Sequence, residues 1–432
     1  MPLAFLVVIA LGTALLMLPQ ARAGEDAAPL ITALFTATSA VCVTGLVVVN
    51  TGTYWSPFGQ SVILLLFQVG GFGIMSGATL LSLLVTRRLR LSTRLMAQAE
   101  TRGLALGDVV DVLKLVLTVT IVVQATIALA LTLRLRLGYG EAWAEAAWHG
   151  VFHAVSAFNN AGFTTYAHGM AGFATDPSML GPVMLGVLLG GIGMPVLHDL
   201  RQEPRRPARW SLHTRLTLLG TALLLPGGML AALAFEWANP ATLGALDPAG
   251  RVVGALFHSV MARSGGFNTV DVGAMRDETI AVTYGLMLIG GGSAGTAGGL
   301  KVGTVVLLVL VMWAEIRGER DATAFGRRVS PDVQRLAVTI TLAAVAVVGS
   351  ATLVLLGLTD LKLRDAVFEV ISAFATVGLS TGVTPGLPAA GQALLVLLMF
   401  AGRVGIVTLA TGLALRRRQN PYRYPEERPI VG

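Results

Sequence analysis

The chain has 432 residues, 54% of them hydrophobic and only 13% charged, with a net charge of +7 and a mean hydropathy of +0.73. So little charged surface excludes a soluble globular protein of this length and leaves a polytopic membrane protein. A single cysteine, Cys42, excludes a disulfide framework, and no Cys/His cluster has metal-site spacing.

The amino-terminal run MPLAFLVVIALGTALLMLPQARAG ends in Ala21-Arg22-Ala23, which mimics a signal-peptide cleavage site. No Lys or Arg precedes its apolar stretch, so it reads as a first spanning helix. A spanning helix needs about 20 apolar residues. On that measure eight spans are expected, near 3–19, 58–85, 110–133, 179–197, 214–236, 280–314, 333–358 and 391–415. Arginines crowd into 86–95, 200–210, 315–328 and 415–428. By the positive-inside rule these four stretches lie in the cytoplasm, and they are not a nucleic-acid footprint. Arg134 and Arg136 fall on the opposite side as exceptions.

Between the spans lie shorter apolar pieces, too short to cross, and they can be stacked on one another: ALFTATSAVCVTGL (33–46), GVFHAVSAFNNAGF (150–163), ALFHSVMARSGGF (255–267) and AVFEVISAFATVGL (366–379). Each holds a Phe followed by one polar residue: Phe35-Thr36, Phe152-His153, Phe257-His258 and Phe368-Glu369. Each ends in a glycine nine or ten residues later: Gly45, Gly162, Gly266 and Gly378. The third piece is one residue shorter than the others. A second small-residue cluster follows each glycine: QVGGFG (68–73), LLGGIG (188–193), IGGGSAG (289–295) and FAGRVG (400–405).

Two glycine motifs at matched offsets, four times over, predict an all-α polytopic fold of four membrane–pore loop–membrane repeats at 1–100, 101–209, 210–329 and 330–432. That is eight transmembrane helices and four re-entrant half-helices around one pseudo-fourfold pore. Non-helical backbone at membrane depth survives only when it is buried in protein or lines a water-filled cavity. Four such segments need one shared cavity, which a fourfold arrangement supplies.

With these motifs the chain resembles the Trk/Ktr/HKT superfamily of potassium transporters, most closely the Ktr-type membrane subunit. The first repeat begins almost at residue 1, which favours the Ktr type over the Trk type. Rings of backbone carbonyls can replace the hydration shell of potassium without adding a fixed charge. The resemblance assigns the selectivity filter to Val43-Thr44-Gly45, Asn160-Ala161-Gly162, Ser264-Gly265-Gly266 and Thr376-Val377-Gly378. Only the fourth matches the T-V-G signature, and Gly45 goes with potassium preference in the family. The stretch GGGSAGTAGGLKVGT (290–304) contains G-x-G-x-x-G, but no strand and soluble helix can flank it inside an apolar segment. By resemblance it is an intramembrane gating loop: Gly290, Gly291, Gly292, Ser293, Ala294, Gly295, Thr296, Ala297, Gly298 and Gly299, with Lys301 beside it.

Arg403 has apolar neighbours on both sides. A mid-membrane arginine costs about 2.5–3.5 kcal/mol on insertion scales, so it is a functional candidate at the gate. His149 and His153 lie one helical turn apart with no third ligand evident, and read as packing residues. Glu369 reads as a residue that pairs locally or caps, with Arg364 and Asp365 as loop charges.

The resemblance implies that potassium is the transported ion and that sodium is a candidate activator. No nucleotide site or catalytic constellation is evident in this chain. It implies a homodimer in the plasma membrane with the filter facing outside, and a ring of cytoplasmic nucleotide-binding (RCK-type) regulatory subunits as partner. A less selective potassium/sodium permease, or a secondary carrier of another solute with a midplane site, stays open as an alternative.

Overall fold

A computed structural model of the chain describes residues 2–94, 106–319 and 321–405. The arginine-rich stretch 415–428, the end of the last expected span (406–415) and the first repeat boundary at 100/101 lie outside the described residues.

The fold is helical. In chain order the helices are α1 (Pro2–Leu16), α2 (Leu30–Val41), α3 (Thr51–Tyr54), α4 (Pro57–Arg94), α5 (Leu106–Gly138), α6 (Trp143–Phe158), α7 (Pro177–Gly191) and α8 (Met194–Gln202). They continue with α9 (Leu212–Glu236), α10 (Pro248–Met261), α11 (Asp277–Leu288), α12 (Val302–Ile316), α13 (Pro331–Leu358), α14 (Leu363–Phe374) and α15 (Ala389–Phe400). A two-stranded ribbon, β1 (Thr323–Ala324) with β2 (Arg327–Arg328), interrupts the arginine-rich segment before α13. Starts are set by capping side chains and prolines. Asp176 accepts from the Ser178 N–H at 2.9 Å and Ser211 from the Thr214 N–H at 3.2 Å, while α7, α10 and α13 open on proline and α8 carries one at its second position.

Length separates the helices into two kinds. Among the described residues four are long and apolar enough to cross a membrane: Pro57–Gly77 within α4, Leu113–Gly138 within α5, α9 and α13. Helices α2, α6, α10 and α14 have only 12 to 16 residues. At 1.5 Å per residue that is roughly 18–24 Å, short of the hydrocarbon core. Their repeated Phe35, Phe152, Phe257 and Phe368 are all fully buried, so these short helices run inside the bundle.

Three expected spans take a different form. The one near 179–197 is bent by 96° between α7 and α8. The one near 280–314 is two helices, α11 and α12, parted by the glycine-rich loop, and the last passes at Ala401–Gly405 into a π-helical turn. The first expected span is the shorter α1. Arg364 and Asp365 are not loop charges but lie in the first turn of α14, where Arg364 bonds the Gly273 and Met275 carbonyls and pairs with Asp277 at 3.0 Å.

The core is divided among the short helices. The largest apolar cluster joins α1, α2 and α4 to α14 and α15, tying the two ends of the chain together. A second lies among α5, α6, α7 and α10, and a third gathers α10, α11 and α14. Facing outward are large apolar side chains such as Leu129, Leu223 and Leu353, each more than 60% exposed, a surface suited to lipid rather than water.

A ring of glycine turns and the loop beneath it

Helices α2, α6, α10 and α14 all end in the same turn. Two residues before each repeated glycine stands a non-glycine residue in the left-handed region: Val43 (φ 55°), Asn160 (φ 59°), Ser264 (φ 74°) and Thr376 (φ 48°). The glycines follow with φ of 92°, 69°, 75° and 93° at Gly45, Gly162, Gly266 and Gly378. A left-handed conformation costs an L-residue about 1–2 kcal/mol, so repeating it four times needs a structural reason.

The reason lies in the hydrogen bonds. The N–H groups of Thr44, Ala161 and Val377 donate to the carbonyls of Ser39, Ser156 and Ser372, at 2.7, 2.8 and 2.9 Å. The same serine hydroxyls take the next N–H at Gly45 (3.1 Å) and Gly378 (3.2 Å). In the third turn, the one that is a residue shorter, Met261 replaces the serine, and its carbonyl accepts from both Gly265 and Gly266. The N–H groups are therefore spent on the helix ends. In a trans peptide the carbonyl points opposite to the N–H, so the carbonyls of these turns face away from their own helices.

Each turn lies against the next. A Cβ built on Gly45 would strike the Ala161 carbonyl oxygen, and one on Gly378 the Thr44 oxygen. On Gly266 it would come within 2.7 Å of the Val377 oxygen, and on Gly162 within 2.9 Å of the Gly266 Cα. The contacts run in the order 45, 162, 266, 378 and back to 45, so the four turns close into a ring. All twelve expected filter residues are in it. Above the ring is a cavity of about 250 Å³ lined by the four glycines and by the residues two further on, Val47, Thr164, Asn268 and Ser380.

In two of the repeats the polar residue after the repeated Phe holds the segment leaving the ring. Glu369 accepts from the Ser380 hydroxyl (2.6 Å), the Thr381 N–H (3.1 Å) and the Thr384 hydroxyl (2.7 Å). His153 meets Thr164 at 2.9 Å, and its neighbour His149 meets Thr165 at 2.6 Å. His258 instead reaches Thr283 on α11, at 3.0 Å.

Beneath the ring lies the glycine-rich loop, with Gly290 to Gly292 and Ala294 to Gly299 all buried. Its ends are zipped by the Gly290 N–H to the Leu300 carbonyl (3.0 Å) and the Leu300 N–H to the Leu288 carbonyl (2.9 Å). Its middle is pinned to the broken end of α7, through the Gly292 N–H to the Gly191 carbonyl (2.9 Å) and the Thr296 N–H to the Gly190 carbonyl (3.0 Å).

Side chains of the ring reach down to it. Thr296 donates to Asn160 Oδ1 at 2.7 Å; the Gly298 N–H donates to Ser264 Oγ at 2.9 Å; and Ser264 Oγ donates to the Thr376 carbonyl at 2.9 Å. Gly298 packs so closely on Thr376 and Ala375 that a Cβ there would overlap both. Lys301 turns back on the loop, Nζ donating to the Ala297 carbonyl at 2.5 Å. Arg403, 5% exposed, reaches the Thr376 hydroxyl at 3.5 Å, and so touches the ring rather than a polar group of the loop.

Sequence reasoning missed three features. One is the downward reach of Asn160 and Ser264, for which no pattern gives a signal. Another is the break at Gly193 (φ 98°), with α8 leaving at a sharp angle. The third is Arg263, 6% exposed, whose Nη2 donates to the Gly290 carbonyl at 3.0 Å. The argument that singled out Arg403 applies to it equally: an arginine within an apolar, membrane-depth segment.

A sequence profile of the cation transport protein family TrkH matches residues 3–421. The chain belongs to the TrkH family of cation transport proteins. It is 36% identical to the Ktr system potassium uptake protein B of Bacillus subtilis, covering 99% of this chain and 95% of that protein. It is 34% identical to the potassium/sodium uptake protein NtpJ of Enterococcus hirae over the same shares of each. The solved structure of the potassium transporter TrkH from Vibrio parahaemolyticus shares the fold, with a TM-score of 0.73 at 17% identity, covering 96% of this chain and 85% of that one. The TrkH-family chain described here is thus a multi-pass membrane protein, and its relatives are transporters rather than enzymes.

Proposed function

We propose that this TrkH-family protein takes up potassium across the plasma membrane through the ring of glycine turns, which acts as a carbonyl-lined selectivity filter. The observation that carries this reading is the closed ring itself: four turns of one backbone conformation, with N–H groups turned to the helix ends and each turn packed against the next. Such an oxygen cage can exchange for the hydration shell of a weakly hydrated monovalent cation. Potassium uptake by the Bacillus relative supports that choice of ion. Helices α2, α6, α10 and α14 point their carboxyl ends, with partial negative charge, at the path. One charge moving through 100 mV gains about 2.3 kcal/mol, enough to concentrate the ion without a hydrolysable nucleotide.

In this reading the chain is four membrane–pore loop–membrane repeats with the boundaries given above, eight transmembrane helices in all. The cavity above the ring is a vestibule that faces outside, and the arginine-rich segments face the cytoplasm. The loop from Gly290 to Gly299 is the gate, closed here by its bonds to the ring, with Arg403 and Lys301 adding a positive barrier below it. The chain works as a homodimer, and a cytoplasmic ring of nucleotide-binding subunits displaces the loop. Sodium acts as an activator.

A second reading, a less selective potassium/sodium permease, is favoured by one feature: three of the four turns depart from T-V-G. Rubidium uptake by the purified protein in voltage-clamped liposomes tests both. The potassium reading expects strong competition by potassium and weak competition by sodium, with Gly45→Ser raising sodium competition. Equal competition from the outset supports the permease, and no competition by either ion removes the filter assignment.

A further inference from the structure

Among the described residues two buried arginines, Arg403 and Arg263, face no carboxylate, and Arg263 lines a crevice of its own. Arg263 follows α10 just below the ring, and its Nη2 is satisfied by the Gly290 carbonyl and the Thr221 hydroxyl at 3.0 and 3.5 Å. Its Nε has no partner, and among the described residues no carboxylate pairs with it. Close by, the Asn160 amide nitrogen is buried and unpartnered too. An uncompensated buried charge is costly, and arginine inside a membrane normally pairs with something.

Arg263 and Asn160 line a crevice of about 130 Å³ that lies apart from the vestibule. Its walls are apolar: Val187, Leu188 and Ile192 of the α7 end, Leu225 of α9 and Val260 of α10. Its remaining side is the loop, at Gly291, Gly292 and Ala297. Leu188, Ile192, Thr221 and Leu225 are partly exposed, and the outer faces beside them carry Leu185, Leu219 and Leu223, exposed by 57%, 40% and 64%. The crevice therefore opens between α7 and α9 on the lipid-facing flank of the bundle, near the middle of α9.

We propose that this crevice binds the head of a long-chain carboxylic acid arriving from the bilayer, its carboxylate on Arg263 and its chain along the groove between α7 and α9. Charge complementarity calls for an anion, and the apolar walls call for an alkyl chain. Depth decides between the anionic amphiphiles: a phospholipid headgroup is tied to the interface, whereas a fatty acid crosses the hydrocarbon as the neutral acid and, its carboxylate favoured beside the guanidinium, gives up its proton to solvent water. An occupant resting on Gly291, Gly292 and Ala297 favours the loop position seen here, so the acid inhibits transport by shifting the population toward that state. This second half rests on the gating role proposed for the loop; the binding does not.

The test uses the full chain in liposomes, with oleic acid, its methyl ester and phosphatidylglycerol as probes, and rubidium uptake as one readout. The other is photolabelling by a diazirine-bearing oleic acid, mapped by peptide mass spectrometry, which needs no transport. Oleic acid should label α7 and α9 near the crevice and inhibit uptake. Arg263→Gln should raise the half-inhibiting concentration at least tenfold, and the methyl ester should be inert. Because Arg263 also holds Gly290, Leu225→Trp serves as a second variant that fills the crevice and keeps the guanidinium; it should lose labelling to the same degree.

Equal potency of the ester, or unchanged labelling in both variants, overturns the proposal. Displacement of the label by phosphatidylglycerol overturns the choice of a fatty acid. Labelling without inhibition leaves the site standing and removes the link to the loop. Absence of any rubidium uptake before oleic acid is added counts against the transport reading, not against the site.

Discussion

The ring and the layer beneath it are built from motifs that recur equally often, yet they behave in opposite ways. In the ring, four segments with different side chains share one backbone, with left-handed residues at matched positions. In the layer below, four small-residue clusters of similar sequence adopt four different backbones. QVGGFG stays within the unbroken helix α4; LLGGIG breaks α7 from α8; IGGGSAG opens into the loop; FAGRVG enters a π-helical turn.

Three of those clusters still share one task. Gly70, Gly190 and Gly402 lie against the carbonyls of Val41, Phe158 and Phe374, the last residues of α2, α6 and α14. A side chain there would push the short helix off its seat. In the proposed reading the difference has a reason: a ring of ligands requires symmetry, because each carbonyl must reach the same ion, whereas a gate requires one element to differ from its neighbours.

The largest expected effect comes from breaking the ring. Gly378→Ala adds about 1–2 kcal/mol of left-handed strain before any clash with the Thr44 carbonyl, so rubidium uptake should fall by at least roughly tenfold. Uptake within a factor of two of the parent would show that the ring does not carry the ions. Next is Gly70→Ala, which meets the Val41 carbonyl. It should lower the melting temperature and the yield of folded protein in detergent, while Gly73→Ala on the same helix, with open space around it, should be neutral or raise stability by up to about 1 kcal/mol. Similar melting curves for the two would undo the seat argument.

Arg403→Gln touches both layers. Removing the charge next to Thr376 should raise uptake several-fold at fixed voltage, and a fall in uptake would mean that the guanidinium supports the ring instead. Smaller again is the link between Asn160 and Thr296. One buried hydrogen bond contributes about 1 kcal/mol, so Asn160→Ala and Thr296→Val should each raise basal uptake about fivefold, and the double variant no further. Additive effects would place the two side chains in separate roles.

The smallest effect lies outside the ring altogether. At the vestibule end of α5, Asp176 accepts from Arg134 at 2.8 Å and from Tyr139 at 2.9 Å. Burial opposes its ionisation, but these hydrogen bonds and the Ser178 N–H outweigh it and hold the carboxyl below its ordinary value. Its contribution to stability is thus full above the unfolded value of about 3.9 and is lost as the pH falls through the lower folded value. The melting temperature should drop between about pH 5 and pH 3, by less in Asp176→Asn. The same pairing accounts for Arg134, one of the two arginines on the wrong side of the charge pattern.

Much of the site was legible from residues alone, because glycine positions mark backbone demands. The missing residue in ALFHSVMARSGGF appears in the structure as a tighter return, Gly265 to Met261 in place of the five-residue step at Thr44, Ala161 and Val377. Glu369 does pair locally, from within α14 to the segment that leaves the ring. The helix lengths were less legible. Hydropathy cannot tell the continuous α4 from the broken α7 and α8, since both stretches are apolar and both contain paired glycines. The partner of Arg403 was also out of reach: the loop and the ring lie next to each other, and only coordinates separate them.

The sequence by itself determined the membrane class, the fourfold recurrence and the positions where side chains are forbidden. Composition sets the solvent a chain can tolerate, and a glycine leaves the same trace wherever the backbone must turn left-handed or approach closely. Only the tertiary structure decided which cluster bends, where the loop rests and which buried cations find partners. These depend on contacts between residues more than a hundred positions apart, such as Asn160 with Thr296 and Ser264 with Thr376. No local pattern encodes such contacts, because each is fixed by the packing of helices that are far apart in the chain.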